Sequence, residues 1–543
     1  MAQNRISLAA ARGNFLTWCI TGYMPLGELC RPLYFAQKLD EATDSEVGEF
    51  YPIYSLREAR RLFGPGSIAV TMAIQHFCTC PELPLYIAPV DDPTIGSQKA
   101  QHTITVTGPA TDNGVLSWGI LDEIFAIGVI AGSTAAEVAT GMAAVMKRWI
   151  DLPFDVEQGT GVTPGDPPTG APTNVITLTA KNAGSAGNWF EPVMNPNFGD
   201  RFPAGLGLEL ETTRAGVGVV DVVPALPVMA CQFDCVATGF EDEIANNLVM
   251  LAIRNNWRCT VQGDFKGGHL FHSRTGTCGL IYAYGMDRNN PEETVIPIPG
   301  PGADYPDAPG YKYPGYMLAA AAASRTCCTA CYDPSRPVQY DNGILGCMYD
   351  QRKCTTIWDQ ECKKMFYDAG IMNWDVANTR GARMTMIWIE EPLTTYKWDP
   401  ATGAPDGAWQ RMESRYTVTK FVRDLGYWYR RHYASVSLVS DGVAIPAGKR
   451  AVNPRIMQAS ILAWFRGTQL GWTAELGPVP LEEMIRVERT NTPQFCDPNR
   501  LNVLIDLDLV NQLARIATTI DVSPEFACLP PSLLPGQVAG SQL

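Results

Sequence analysis

Six of the sixteen cysteines lie between residues 327 and 362, at spacings that could support metal or redox chemistry. They form a CCxxC pattern followed by three single cysteines: Cys327, Cys328, Cys331, Cys347, Cys354 and Cys362. Four thiolates can bind zinc tetrahedrally, but a second CxxC at zinc-ribbon spacing is absent from the sequence. A redox CxxC is activated at a helix N-terminus, whereas Cys328 and Cys331 fall late in a predicted alanine-rich helix. We therefore predict no metal site, no cofactor and no catalytic thiol pair.

The histidines are the next candidates, because one of them could act as a general base: His76, His102, His269, His272 and His432. No GxSxG nucleophile elbow accompanies them, and nothing in their spacing indicates a catalytic triad. His269 and His272 form an HLFH pattern near a predicted strand start, where a surface or packing pair is favoured over a pair of ligands. The sequence predicts no catalytic residue, and hence no enzyme.

Two glycine patterns approach nucleotide-binding motifs without completing them. Gly442 and Gly448-Lys449 are one residue too far apart for a phosphate loop, and Arg450 replaces the required Ser or Thr. The run from Gly216 to Asp221 lacks the third glycine of a dinucleotide fingerprint. Neither pattern predicts a nucleotide site.

The size and charge of the chain limit what these residues can belong to. At 543 residues, with 46% hydrophobic and 18% charged residues, the chain is predicted to be globular with three or four domains. A net charge of -14 argues against nucleic acid as a partner. No apolar run reaches the roughly 18 residues that span a bilayer, and the first residues lack a signal-peptide apolar stretch. We expect assembly in a cytoplasm, where sixteen cysteines are unusual.

Hydrophobic periodicity predicts mixed elements in the first 225 residues. A helix from Tyr54 to Phe63 is capped by Ser55 and ended by Gly64, and the predicted strands are Leu85–Val90 and Val175–Ala180. Two further strands, 103–108 and 115–120, are predicted to pair as a hairpin around the turn at 112–114. Thr134 and Glu137 form a capping box for a helix to Trp149. Residues 101–225 are predicted to form a small α+β domain.

From Val228 onward, predicted strands alternate with helices, as in a parallel α/β layer. The predicted strands are 230–237, 279–284 and 382–390, and the predicted helices are 241–256, 316–327 and 356–367. A helix at 456–465 and strands at 485–490 and 501–507 follow in the C-terminal part.

Three motifs together resemble one protein family, the tail sheath proteins of Mu-like contractile-tailed bacteriophages. The closing motif is PQFCDPNRLNVL at 493–504 with LVNQ at 509–512; the others are LTAKNAGSAGN at 178–188 and SLREARRLFGPGS at 55–67. The family motif residues are Asp497, Pro498, Asn499, Arg500, Leu501, Asn511 and Gln512. The segment past Val522 is longer and richer in proline, and cysteine more frequent, than in the family pattern.

The resemblance implies a multidomain α/β fold with a central subtilisin-like α/β sheath core, an inserted small α+β domain, a C-terminal α+β assembly domain and extended terminal arms. The implied boundaries are an N-terminal arm at 1–22, a first part of the core at 23–100, the inserted domain at 101–225, the subtilisin-like core at 226–398, the assembly domain at 399–522 and an extended tail at 523–543.

The function implied is that of a structural subunit which polymerises helically around a tail tube and contracts to drive the tube through the host envelope. The implied partners are further copies of the chain, the tail tube protein, and the baseplate and tail terminator proteins, without nucleic acid or membrane insertion. The protein would lie in the virion tail after assembly in the host cytoplasm. The alternatives are another virion structural protein, such as a baseplate component, and a subtilisin-like hydrolase.

The resemblance also assigns roles to residues. Strands that join neighbouring subunits are expected in both arms, at Ile6, Leu8, Phe15, Leu16, Ile516, Thr518, Ile520 and Val522. A helix of the assembly domain is expected to face the tube through Arg455, Gln458 and Trp464. Because a virion leaves the reducing cytoplasm, four cysteines are candidates for disulfides between subunits: Cys19, Cys30, Cys496 and Cys528. The alternative is that the thiols are buried and free.

Overall fold

A six-stranded sheet, parallel except at one edge, organises the largest part of the protein. The computed structural model describes residues 30–160, 172–190, 192–196, 200–257, 266–300, 313–339, 343–350, 358–376, 385–475, 480–488 and 499–512. The strand order is β13-β12-β11-β1-β3-β2, and only β2 is antiparallel to its neighbour. The strands are β1 (Pro32–Gln37), β2 (Tyr51–Ile53), β3 (Leu85–Val90), β11 (Cys235–Thr238), β12 (His269–Gly276) and β13 (Glu293–Pro299).

Both faces of this sheet are buried, because side chains of its central strands β1, β3, β11 and β12 alternate between two apolar clusters. On β1, Leu33 and Phe35 pack with α4 (Glu243–Trp257), whereas Tyr34 and Ala36 pack with helices on the opposite face. Those helices are α1 (Leu56–Phe63), α2 (Ile68–Thr79), α5 (Cys278–Met286), α6 (Gly315–Tyr332) and α7 (Gln360–Ala369). A helix-covered parallel sheet follows, but of the strands predicted for it only 230–237 contributes, since 279–284 is helical and Thr385–Glu391 pairs antiparallel in a separate sheet.

Residues 101–214, between β3 and β11, form two antiparallel sheets. The four-stranded sheet has the order β10-β4-β8-β7, and the three-stranded sheet has the order β6-β5-β9. The strands are β4 (Gln101–Thr107), β5 (Gly114–Ile120), β6 (Glu123–Val129), β7 (Phe154–Thr160), β8 (Pro172–Ala180), β9 (Val193–Met194) and β10 (Gly207–Arg214). Helix α3 (Ala135–Met146) packs against them and begins at the predicted capping box of Thr134 and Glu137.

A second core lies in the C-terminal part, around α8 (Met412–Tyr433). The first turns of α8 pack through Met412 and Tyr416 into the large cluster, which is the one that contains Tyr34 and Ala36 of β1. Its later turns pack into a separate cluster through Phe421 and Leu425. The other elements are β17 (Ser437–Leu438), β18 (Ala451–Val452), α9 (Pro454–Trp464), α10 (Leu481–Met484), β19 (Ile485–Glu488) and β20 (Asn502–Ile505). Before α8, β14 (Ile344–Asp350), β15 (Asn373–Val376) and β16 (Thr385–Glu391) form a sheet with β16 in the centre.

Several predicted elements differ in the structure. The hairpin pairing of 103–108 with 115–120 is wrong, since β4 pairs with β8 and β10 while β5 pairs with β6 and β9. The predicted strand at 279–284 is helix α5, capped by the Thr277 hydroxyl. The predicted strand at 230–237 is reduced to β11, because residues 223–230 form a 3-10 turn. Within the described residues, no helix is long and apolar enough to cross a bilayer.

Candidate functional sites

A buried ion cluster lies at the start of β13. The Glu293 carboxylate is fully buried and accepts hydrogen bonds from Arg288 Nε at 2.9 and 2.8 Å and from His272 Nε2 at 2.8 Å. Asn290 and Thr395 donate to it at 2.9 and 3.2 Å. Burial alone would raise the pKa of Glu293, but the hydrogen bonds and charges of His272 and Arg288 outweigh it and hold that pKa well below its usual range.

This cluster has the composition of a catalytic site but the geometry of a structural one. Five donor groups already occupy the carboxylate, so Glu293 is a saturated anion and not a base waiting for a substrate. The neighbouring Ser273 hydroxyl donates to Glu241 at 2.9 Å. His269, on the same strand, bonds to Thr294 at 2.8 Å and is also buried. The packing interpretation of the HLFH pair is therefore confirmed.

A serine and a histidine do meet elsewhere, inside the core between α2 and α6. His76 Nδ1 lies 2.7 Å from Ser324 Oγ, and the Tyr34 hydroxyl contacts Ser324 Oγ at 2.5 Å. His76 Nε2 bonds to the Leu83 carbonyl at 3.0 Å; since a carbonyl only accepts, Nε2 carries the proton and Nδ1 is the acceptor. Tyr34, His76 and Ser324 are all at 0% exposure, so a substrate cannot reach this pair in the structure.

Two adjacent cysteines on α6 contact different thiols. Cys327 is fully buried and is hydrogen-bonded to Cys30 and Cys235, and desolvation raises its pKa. Cys328 is partly exposed and is hydrogen-bonded to Cys80, at the C-terminal end of α2. That hydrogen bond lowers the pKa of Cys328 to about 7 against the effect of burial, with help from the Arg325 charge. None of the described His, Cys, Asp and Glu side chains form a group of three or more that could hold a metal.

Of the four cysteines proposed for links between subunits, Cys30 lies in the core and the other three lie outside the described residues. Cys30 is 5% exposed and its thiol contacts others of the same chain, so a disulfide to a neighbour would require it to leave the core. The expected link through Cys30 stays a prediction. Cys19, Cys496 and Cys528 lie outside the described residues, as do all eight residues of the expected arm strands.

The closing motif packs against the second core through its apolar residues. Leu507 and Leu509 are buried, and the backbone from 506 to 510 bonds to residues 473, 475 and 484 at 2.8 to 3.3 Å. Asn511 donates to Glu475 at 3.3 Å, and Arg500 donates to Asn502 at 2.8 Å. The structure thus places the described motif residues, from Asn499 to Gln512, along β20 and the segments flanking it; Asp497 and Pro498 lie outside the description.

The three residues expected to face a tube have different environments on α9. Arg455 is exposed. Gln458 donates to the carbonyls of Ile485 at 2.7 Å and Glu482 at 3.2 Å, so its amide is used within the chain. Trp464 is 8% exposed and its ring packs on Phe421 with a centroid distance of 5.6 Å. Trp464 packs in the second core, and its expected contact with a tube stays a prediction.

A contact that the sequence did not predict ties α8 to the root of the N-terminal segment. The Asp234 carboxylate accepts from the backbone N–H of Cys30 at 2.8 Å and of Arg31 at 3.0 Å. Its other oxygen lies 2.5 Å from Arg423 Nη1 on α8, and both side chains are buried. One carboxylate thus joins β11, the chain entering β1 and the helix of the second core.

Comparison with known proteins identifies a relative of nearly the same length. No protein-family model matches the sequence. The Mu-like prophage FluMu tail sheath protein of Haemophilus influenzae is 24% identical over 478 residues, covering 88% of this chain and 89% of the relative. The resemblance predicted from the motifs is confirmed by this relative. A cryo-EM structure of the anti-feeding prophage baseplate in the contracted state aligns with a TM-score of 0.45 at 10% identity, over 92% of this chain and 96% of that chain. A cryo-EM structure of the anti-feeding prophage helical sheath in the contracted state aligns with a TM-score of 0.42 at 11% identity, over 93% of this chain and 96% of that chain.

Proposed function

We propose that this protein is the structural subunit of a contractile tail sheath, which polymerises helically around a tail tube and drives it through the host envelope by contracting. The observation that carries the proposal is the similarity to a tail sheath protein over 88% of this chain and 89% of the relative. Similarity along nearly the whole of both chains supports a shared role for the entire molecule and not for one module. The buried state of the Glu293 and His76 groups agrees with a structural role.

The proposed domain layout places 23–100 and 226–398 in a subtilisin-like core, 101–225 in an inserted domain and 399–522 in an assembly domain. The strand order supports it, because β1 pairs with β11 and so joins β1 and β3 to β11, β12 and β13 in one sheet, although residues 101–214 separate them in sequence. The separate apolar cluster around α8 and α9 supports an assembly unit.

In this proposal the arms link neighbouring subunits by strand addition. Heterologous contacts that do not close into a ring generate helical tubes, and an added strand keeps its main-chain hydrogen bonds when globular parts rotate. Within the described residues, β19 and β20 form a sheet of only two strands, with Leu504 exposed at 59%. Two strands alone are marginally stable, so strands from arms of neighbouring subunits would complete this sheet. The Asp234 contact would hold the root of the N-terminal arm, at Cys30, against α8.

Contraction would then be a change of packing with no nucleotide consumed. A sheath assembled in an extended, metastable packing releases free energy when its subunits move to a lower-energy arrangement. The partners are further copies of this chain, the tail tube protein, and the baseplate and terminator proteins at the two ends. Arg455, Gln458 and Trp464 on α9 are the candidates to face the tube, and Arg455 is the exposed one among them. The location is the virion tail, after assembly in the host cytoplasm.

Negative-stain electron microscopy of the purified chain tests this function. We expect long regular tubes from the full chain and none after deletion of residues 1–20. In a strand, alternate side chains face opposite sides, so Ile6→Asp/Leu8→Asp would place charges on the buried side of the arm strand and abolish tubes. The matched control, Ser7→Asp/Ala9→Asp, would place them on the other side and leave tubes intact. Monodisperse particles from the full chain in every preparation would overturn the sheath proposal in favour of a baseplate protein or a hydrolase.

A further inference from the structure

Helices α2 and α6 lie side by side on the sheet in a common register. His76 Nδ1 contacts Ser324 Oγ at 2.7 Å, and Arg325 Nη2 donates to the Thr79 carbonyl at 3.3 Å. Residues four apart on a helix lie above one another on the same face. Four residues after His76 and Ser324 come Cys80 and Cys328, so the same step along both helices brings these two thiols together. Their side chains are hydrogen-bonded to each other.

The two thiols differ in their access to solvent and in their acidity. Cys80 is at 0% exposure, whereas Cys328 is partly exposed, so a dissolved reagent reaches Cys328 first. The thiolate is the reactive form of cysteine. The hydrogen bond from Cys80, with the Arg325 charge, lowers the pKa of Cys328 to about 7, so a large part of it is thiolate near neutral pH. The hydrogen bond and burial raise the pKa of Cys80, which therefore remains the proton-bearing partner.

We propose that Cys80 and Cys328 are a site of oxidative modification, where a low-molecular-weight disulfide converts the thiol pair into a disulfide within the chain. The Cys328 thiolate attacks one sulfur of the reagent, forming a mixed disulfide and releasing one reagent thiolate. Cys80 then attacks the Cys328 sulfur and passes its proton to the reagent thiolate that this attack expels. Two protein thiols are oxidised and one reagent disulfide is reduced to two thiols, so atoms and electrons balance.

Burial and position favour this pair over the other thiol contacts. Cys278 and Cys362 are hydrogen-bonded between α5 and α7, but both are buried, and the same holds for Cys30 and Cys327. Cys331 is exposed on α6 and contacts Cys30, so these two could form a disulfide in place of Cys80 and Cys328. Substitution of Cys331 therefore serves as the control. A Cys80–Cys328 bond would join α2 to α6 across more than two hundred intervening residues, and cross-links over long loops restrict the unfolded chain most. The inference does not depend on the sheath proposal.

The test follows oxidation of the full-length, fully reduced protein by glutathione disulfide, with peptide mapping by mass spectrometry without reductant. We expect a linked peptide joining Cys80 to Cys328, loss of two alkylatable thiols, and an upward shift of the thermal unfolding midpoint that reductant reverses. In Cys80→Ala the reaction should stop at a glutathione adduct on Cys328. In Cys328→Ser neither product should form, whereas Cys331→Ser should behave like the unmodified chain.

Three results would overturn the proposal. One is a stable glutathione adduct on Cys328 in the unmodified chain with no linked peptide. Another is a linked peptide that joins Cys331 to Cys328 or to Cys30 instead. The third is a Cys328 alkylation rate in the native protein that does not rise through neutral pH and matches that of Cys331. Because Cys328→Ser changes a partly exposed position, its circular dichroism spectrum checks that the variant folds.

Discussion

At the scale of single residues, the Glu293 carboxylate has the most consequence for stability, because it is a full charge without access to water. Its partners come from β12, from the loop after α5 and from the segment before α8. Burying a charge is costly unless every lone pair is satisfied, and here Arg288 supplies a forked pair of donors, Nε to Oε2 and Nη2 to Oε1. The cluster therefore joins the neighbouring strand β12, the loop that leads into β13 and the distant segment at Thr395 around the first residue of β13.

Removing the Arg288 side chain should expose the cost of that buried charge. We expect Arg288→Ala to lower the free energy of unfolding by about 3–5 kcal/mol, because Glu293 would stay buried without its counter-charge. The matched control is Arg466→Ala, which breaks an exposed pair with Glu482 and should cost less than about 1 kcal/mol. Urea unfolding of both variants measures the difference. Equal losses of unfolding free energy for the two variants would show that the buried cluster stabilises the protein no more than an exposed ion pair does. The double variant Arg288→Met/Glu293→Gln removes the buried charge as well, so it should recover part of the loss.

His76 should make the protein sensitive to mild acid. Burial lowers its pKa from 6.5 to about 4, so the unfolded chain takes up a proton at a higher pH than the folded chain does. Its contribution to stability is thus complete above pH 6.5 and is lost as the pH falls toward 4, by roughly 2 kcal/mol between pH 7 and pH 5. Thermal unfolding across this range should show a falling midpoint, with a shallower slope in His76→Gln. His432→Gln, which changes an exposed histidine, should keep the slope; an unchanged slope in both variants would contradict the assignment.

At the scale of elements, local chemistry in the sequence predicts helices well where the caps are explicit. The Ser55 cap and Gly64 stop of α1, and the Thr134–Glu137 box of α3, appear in the structure as predicted. Both rest on residues within one helical turn of each other, so the sequence alone contains the whole interaction. The strand at 85–90 was also predicted at its observed bounds.

Elements whose identity depends on distant partners were predicted less well. The run CGLIYAYGM is apolar throughout and has no clear period, so the Thr277 cap was the only local sign that α5 is a helix. The turn near Asn113 suggested a hairpin, but the Asn113 side chain accepts from the Ala131 backbone at 2.8 Å instead, and β5 runs on to pair with β6. For the same reason the Glu293 and Asp234 contacts could not be predicted, since their partners are up to about two hundred residues away.

The contact made by Asp234 leads to a prediction about the N-terminal root. Asp234→Asn would leave the buried Arg423 guanidinium without a counter-charge, so we expect a loss of about 3 kcal/mol and faster proteolytic cleavage near residues 30–31. Asp44→Asn, at an exposed pair with Arg61, is the control and should change neither. Limited proteolysis with N-terminal sequencing of the fragments makes the comparison. Equal cleavage rates for the two variants would mean that Asp234 does not fix this segment.

At the scale of the whole molecule, two cores joined by one helix suit a subunit that must keep its links while its body moves. The early turns of α8 belong to the large core and its later turns to the second core, so one helix contributes buried side chains to both. In the proposed tube, arms that add strands to neighbouring subunits would preserve connectivity, and the free energy of contraction would come from the surfaces between bodies.

Mixing experiments would separate donation of an arm from acceptance of one. A heterologous contact uses two different surfaces, so an Ile6→Asp/Leu8→Asp subunit should fail to donate its strand but still accept a strand from a neighbour. Incorporated at the end of a growing tube, it would stop elongation. Each subunit that is added has a chance of being the variant equal to the variant's fraction in the mixture, and that event ends the tube. We therefore expect the mean tube length in electron micrographs to fall steeply as this fraction rises. The Ser7→Asp/Ala9→Asp variant should leave length unchanged at every ratio. If Ile6→Asp/Leu8→Asp subunits were never incorporated into tubes, the tubes would become fewer at constant length. That result would mean that a subunit needs its own arm strand in order to bind a tube at all.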